Sequence, residues 1–236
     1  MSWVWCRDKA RCALVHAPIR YVRLEGQLEH VRPNDLEKLL RPFLDRSYFT
    51  LNLAELAAAA KQHPWVDKVQ VERIWPDVIE VKVSEKVPYL RWGERDLFSP
   101  QGEKFTPAAY GGAKEDMSSF ANLPRLDGPP GHEKLLFAAY CQMAEALKPL
   151  HFKIRKLEVD ARRSWQLTLE SEGQPASDMV IVLGRQKPQE VFARVAQFLG
   201  SLTVRQRQRI ERLDARYKHG FAVRLRQSGS DGKRNP

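Results

Sequence analysis

The spacing of apolar positions changes along the chain, and each change marks an element. Ile19 to Leu24 (Ile-Arg-Tyr-Val-Arg-Leu) partly alternates and is followed by Gly26, which predicts a short strand ending in a turn. Pro33-Asn34-Asp35 is a helix-start signal. Leu36, Leu39, Leu40 and Phe43 then fall on one face of that helix. After a connector with Ser47 and Tyr48, Asn52 is placed to cap a second helix reaching Ala60, with Leu53, Leu56 and Ala57 on one face. That helix should end near His63, because Pro64 lacks a donor and restricts the residue before it. The period then drops to two. Val69 and Val71 alternate with Gln70 and Glu72, and Ile79, Val81 and Val83 alternate with Glu80, Lys82 and Ser84. The two runs flank Trp75-Pro76-Asp77 and read as a hairpin with one face on a core. The order strand, helix, helix, strand, strand predicts a three-stranded sheet covered on one face by two helices.

The second half opens with short strands and turns around Tyr89 to Trp92, Leu97-Phe98 and Phe105. Pro107 to Pro130, rich in Gly, Pro, Ser and Ala, reads as a surface loop. Glu133 to Leu147 carries Leu135, Leu136, Ala139, Met143 and Leu147 at helical spacing. Strands are predicted at Ile154 to Val159, Trp165 to Leu169 and Met179 to Leu183, and a helix over Pro188 to Leu202. Arg209 to Tyr217 and Phe221 to Leu225 read as a final hairpin across Lys218-His219-Gly220, and the polar residues from Arg226 onward as a disordered tail. The expected class is α+β: a β-α-α-β-β unit over residues 18–87, then a mixed β domain with flanking helices over 88–225. Segments 1–17 and 226–236 lie outside both.

Composition narrows the function. The chain has 236 residues, 43% hydrophobic and 29% charged, which is a globular balance with a well-solvated surface. A net charge of +10 leaves two readings open: a generally basic surface, or an anionic neighbour such as nucleic acid or a phospholipid surface. The densest basic group, Arg205, Arg207, Arg209 and Arg212, is interspersed with Glu and Gln and shows no interleaving with aromatics. No run of 18 apolar residues occurs, and Met1 to Pro18 meets Arg7, Lys9 and Arg11 too early for a secretory signal. Cys6, Cys12 and Cys141 form no CxxC pair, so neither a full disulfide framework nor a zinc site is expected.

Candidate chemistry is sparse. None of the motifs GxSxG, HExxH, GxxxxGK[ST] or GxGxxG occurs. The six histidines are dispersed and read as solvated. Asp160, Arg162, Arg163 and Ser164 read as a polar turn ahead of the strand that Trp165 opens, rather than as an active loop. Trp165 should pack in the core, and for Trp75 packing of its turn competes with exposure. The terminal hairpin is the most informative surface. As a sheet edge it is either a docking site for a partner strand or an edge blunted by Arg224 and Arg226.

His63-Pro64-Trp65-Val66, Val69 to Asp77 and Glu85 to Pro88 resemble the POTRA domain of the FtsQ family. Arg91-Trp92-Gly93, Gln101 to Phe105, Arg162 to Leu169, Leu183-Gly184-Arg185 and Leu213 to Tyr217 with Gly220 continue the resemblance in unbroken order from about Pro18 to Leu225. It implies a non-enzymatic divisome scaffold on the periplasmic side of the inner membrane, with no cofactor or small-molecule substrate. The implied partners are FtsB and FtsL. By the same resemblance FtsB adds a strand at Tyr217, Gly220, Phe221, Ala222, Val223 and Leu225, near Arg162 or Arg163. Upstream division proteins meet the Val69, Val71 and Arg73 strand. Two positions depart from the family: Leu225 stands where the family can place a closing aromatic, and Arg224 where it places a small residue. Arg224 could pair with an acidic group of FtsB. The membrane span that precedes the POTRA domain in the family has no counterpart in Met1 to His16. Two other classes compete with it: a POTRA-bearing assembly or secretion component, which usually carries a β-barrel whose set of alternating strands is not found in this sequence, and a nucleic-acid binder, which rests on charge alone.

Overall fold

A computed structural model describes residues 17–107, 116–171, 174–218 and 220–226. Met1 to His16, with Cys6 and Cys12, as well as His219 and the tail after Arg226, lie outside the described residues. The chain divides into two compact units: Phe105–Met117 groups with the residues up to Pro88, and Tyr89–Lys104 groups with those from Ser118 onward.

The first unit follows the predicted order: β1 (Tyr21–Glu25), α1 (Pro33–Leu44), α2 (Leu53–Ala60), β2 (Val66–Ile74) and β3 (Val78–Glu85). The strands lie in the order β1-β3-β2. β1 runs parallel to β3, and β2 runs antiparallel to it across the Trp75–Asp77 turn, which contains a cis Trp75-Pro76 bond. Asn52 caps α2 through a 3.0 Å bond from the Ala54 N–H. Leu36, Leu40, Leu56 and Ala60 from the helices and Ile79, Val81 and Val83 from β3 are buried. Trp75 is 80% exposed, so its turn does not fold back onto a helix.

Two side chains secure the connections that the hydrophobic pattern leaves unspecified. The Glu85 carboxylate, at the end of β3, accepts from the backbone N–H groups of Glu29, His30 and Val31 at 3.0, 3.1 and 2.7 Å. It therefore fixes the link between β1 and α1. Gly26 makes that link fit: a Cβ there would stand 2.2 Å from the Val83 carbonyl oxygen. Arg73, near the end of β2, donates to the Tyr48 and Leu51 carbonyls at 2.9 and 2.5 Å and fixes the connector between α1 and α2. His63 departs from the expectation of solvated histidines, because it is buried.

The second unit is built on a nine-stranded sheet ordered β12-β11-β10-β9-β8-β7-β4-β5-β6. Its strands are β4 (Leu90–Trp92), β5 (Asp96–Phe98), β6 (Lys104–Phe105), β7 (Arg125–Asp127), β8 (Phe152–Val159), β9 (Trp165–Ser171), β10 (Gln174–Gly184), β11 (Ile210–Asp214) and β12 (Ala222–Leu225). α3 (Glu133–Leu147) packs on β8, α4 (Pro188–Ser201) packs on β10, and the two helices touch. Their apolar faces, including Leu136, Met143, Leu147, Val195 and Leu199, share one core with Leu157, Leu167, Leu169, Ile181 and Leu213. Trp165 is buried in that core, as its strand pattern predicts.

Among the elements not visible in the pattern, two bear on the sheet. The predicted Pro107 to Pro130 loop contains β7, a three-residue strand parallel to both β4 and β8. Only Leu126 of β7 is buried, so too few positions exist for a period to register. The arginine-rich stretch before β11 forms a short helix, α5 (Val204–Gln208), started by a Thr203/Gln206 capping box.

Replacing Glu85 by Ala leaves three backbone donors without their carboxylate. The expected loss is about 2 kcal/mol in the urea unfolding transition of the first unit.

Candidate partner-binding edge

The sheet ends at β12, and this end is assembled by a crossover followed by a reversal. β10 feeds α4 and α5, and the chain returns in β11 parallel to β10. It then reverses into β12, which pairs antiparallel with β11 through Leu213↔Val223 and Asp214↔Ala222. All four β12 residues are exposed, Leu225 at 49% and Val223 at 40%. β12 therefore has a neighbour on one side only.

The link between β11 and β12 is longer than the tight hairpin the pattern predicts. It runs from Ala215 to Phe221, so Tyr217, expected in a strand, lies in a loop. Four contacts hold that loop. The Ala215 N–H donates to the Val182 carbonyl at 2.8 Å, extending the contact with β10. Arg194 on α4 donates to the Tyr217 carbonyl at 3.2 Å, and its guanidinium lies 5.4 Å from the Phe221 ring. Phe221 packs on Phe198 of α4 with ring centroids 4.9 Å apart. With its backbone held, Tyr217 is left 58% exposed.

Arg216 folds back instead of reaching out. Its guanidinium bonds Asp214 at 2.6 and 2.9 Å, and its stem crosses Gly184, where a Cβ would meet the Arg216 Cγ at 3.0 Å. Gly184 also sits at φ +83°, a left-handed conformation open to glycine. The Asp214 carboxyl is held below its ordinary range, first by the Arg216 hydrogen bond against the opposing effect of burial.

The turn between β8 and β9 is the second component. The Asp160 carboxylate accepts from the Arg162 and Ser164 N–H groups at 2.8 Å each, while Arg163 sits at φ +60°. This is the polar turn expected from the sequence. It brings Arg162 to a cleft of about 760 Å³ that Tyr217 also lines. Arg185, Lys187, Arg194, Arg216 and Lys218 join Arg162 there, against the acids Asp160 and Glu190. Tyr217 continues into a smaller crevice with Gly220, Phe221 and Ala222. Arg163 does not line the cleft. Sequence reasoning missed Arg194 and Arg216. The i,i+4 spacing of Arg194 and Phe198 on α4 was the available signal for the first.

Arg226 departs from its expected role of blunting the edge: its guanidinium donates to the carbonyls of Asp178 at 2.5 Å and Gln208 at 3.2 Å. That charge is turned inward and does not blunt the edge, which leaves Arg224 as the exposed cation of β12.

The other candidate face lies in the first unit, at β2, an edge of its sheet. Val69 and Val71 are half-buried and stand opposite the buried Val83 and Val81, so they face the core side. Arg73 is engaged with the α1–α2 connector. What β2 offers outward is its backbone edge. Among the described residues no cluster of three His, Cys, Asp or Glu side chains could hold a metal, and no helix is long and apolar enough to cross a membrane. Cys141 is half-buried against the core, and burial pushes its thiol pKa up, which disfavours a reactive thiolate.

A β-α-α-β-β unit followed by a mixed sheet with a terminal edge defines a POTRA-bearing protein with a β domain. Residues 17–86 match the model of the POTRA domain, FtsQ-type, and residues 90–216 match that of Cell division protein FtsQ/DivIB, C-terminal. The chain belongs to the FtsQ/DivIB family of cell division proteins. It is 30% identical to Cell division protein FtsQ of Methylomonas methanica over 94% of this chain and 84% of that one. It is 34% identical to the FtsQ of Xanthomonas campestris over 93% and 75%, and 28% identical to that of Coxiella burnetii over 87% and 79%. The C-terminal family match stops at Arg216, so Tyr217 and β12 lie past it.

Two measurements check the construction of this edge. Asp214→Asn removes a carboxylate whose pKa is lower folded than unfolded. Such a group stabilises the protein above its ordinary pKa of about 4 and ceases to as pH falls through the folded value. The variant should therefore unfold at lower urea than the parent at pH 7, and the gap should close below about pH 4. Phe221→Ala should speed hydrogen exchange of the β12 amides while leaving β9 and β10 protected.

Proposed function

We propose that this protein is a non-enzymatic scaffold of the divisome, acting at the periplasmic face of the inner membrane, whose β12 edge takes up a strand from FtsB, with FtsL as a further partner. The observation that carries the reading is β12 itself: exposed along its whole length, paired on one side, and placed beside Tyr217 and the basic cleft. Strand addition supplies backbone hydrogen bonds worth about 0.5 to 1.5 kcal/mol each. The neighbouring cleft supplies selectivity through Tyr217, Arg162 and the cations around them. Ala222, with its small side chain, lets a second strand approach closely. The β2 edge of the first unit, carrying Val69, Val71 and Arg73, serves upstream division proteins in the same reading.

The test is titration of the FtsB ectodomain segment against the full chain. Tyr217→Ala and Ala222→Asp should each weaken binding about tenfold or more, equivalent to about 1.4 kcal/mol. Because both side chains are exposed, thermal midpoints should stay close to that of the parent. Unchanged affinity in both variants overturns the reading.

A further inference from the structure

Arg224 on β12 stands directly opposite Arg212 on β11 in the ladder. Directly opposed side chains of an antiparallel pair have Cβ atoms about 5 Å apart, and like charges placed there destabilise the sheet. Both arginines line a hollow of about 440 Å³ on the sheet surface, together with Arg155, Asp178, Glu211 and Arg226. Four guanidinium groups thus meet two carboxylates.

The nearby acids offset the repulsion only in part: Arg212 acts on the Asp214 carboxylate, whose main partner is Arg216, and among the described residues none of them pairs with Arg224. Asp178 is paired with Arg155 at 3.1 Å, and Asp214, one position further along the same face of β11, is bound by Arg216 at 2.6 Å. Glu211 sits at the register shift between Ile210 and Arg212, and among the described residues it makes no ion pair with either arginine. Arg226 is satisfied by backbone carbonyls. Arg212 and Arg224 remain as an opposed, solvent-facing pair on the outermost two strands.

Blunting an edge against aggregation needs one charge on the edge strand, and Arg224 alone meets that need. A second arginine directly opposite weakens the ladder and adds nothing to that protection. The row Val180, Arg212, Arg224 runs across β10, β11 and β12, and its next place belongs to whatever strand is added. We infer that this place is taken by a carboxylate: the strand docking on β12 carries an Asp or Glu opposite Arg224, and the Arg212–Arg224 pair selects for it. The inference rests on the strand-addition reading above and specifies the chemistry of the partner.

Arg224→Glu tests it with two readouts. In the free protein the variant turns a like pair into an opposite pair, so the thermal midpoint should rise. Binding of the FtsB ectodomain segment should fall at least about tenfold, and parent binding should weaken with added salt more steeply than that of the variant. A charge-reversed FtsB segment, with Lys at the position opposite residue 224, should recover affinity for the Glu variant. If the parent binds and both Arg224→Glu and Arg224→Ala bind equally well with the same salt dependence, the carboxylate inference fails while strand addition stands. If the parent does not bind the segment at all, strand addition fails and this inference with it.

Discussion

One-sided backbone pairing at β12 is the constraint around which the C-terminal unit is arranged. An interior strand satisfies its peptide groups on both sides, whereas an edge strand leaves alternate groups to water or to a partner. β12 is four residues long and buries none of them, so neither length nor core packing holds it in place. Its position is imposed by its surroundings. β11 is locked against β10, the preceding loop is held to α4 by Arg194 and Phe198, and Arg226 ties the strand's far end to the carbonyls of Asp178 and Gln208. These contacts fix where the edge lies, and an edge fixed in advance loses less entropy when a strand is added.

The first unit solves a different problem with similar means. Its sheet and helices follow from hydrophobic period, but its connections do not. Glu85 gathers three consecutive N–H groups and Arg73 gathers two carbonyls, so one acid and one base at strand ends fix both crossings of the helical layer. Arg73 is for this reason a poor probe of partner contact, since truncating it also loosens the connector beneath.

Most elements could be read from the chain because most carry enough apolar positions to express a period. The Val69/Val71 and Ile79/Val81/Val83 alternations and the Leu36/Leu39/Leu40 face identify their elements unaided. β7 has a single buried residue, Leu126, and its place in the interior of the sheet comes from neighbours distant in sequence, which no local pattern encodes. The candidate edge was legible as an edge, and Arg162, Tyr217 and Ala222 were singled out from resemblance. The length of the loop to β12 was not legible, because Lys218 to Gly220 looks like a turn while the true constraint is Phe221 seeking Phe198. Nor were the inward turn of Arg226 and the opposition of Arg212 to Arg224, since both depend on register and register is a tertiary property.

Arg194 contacts the Tyr217 carbonyl and the Phe221 ring at once. One side chain on helix α4 thereby ties the helix to the loop that leads into β12. Under the proposed strand addition, a genetic screen for loss of partner recruitment should therefore return substitutions at Arg194 and Phe198 alongside those at the edge itself. Such positions would map as contact residues although their side chains need never touch the partner.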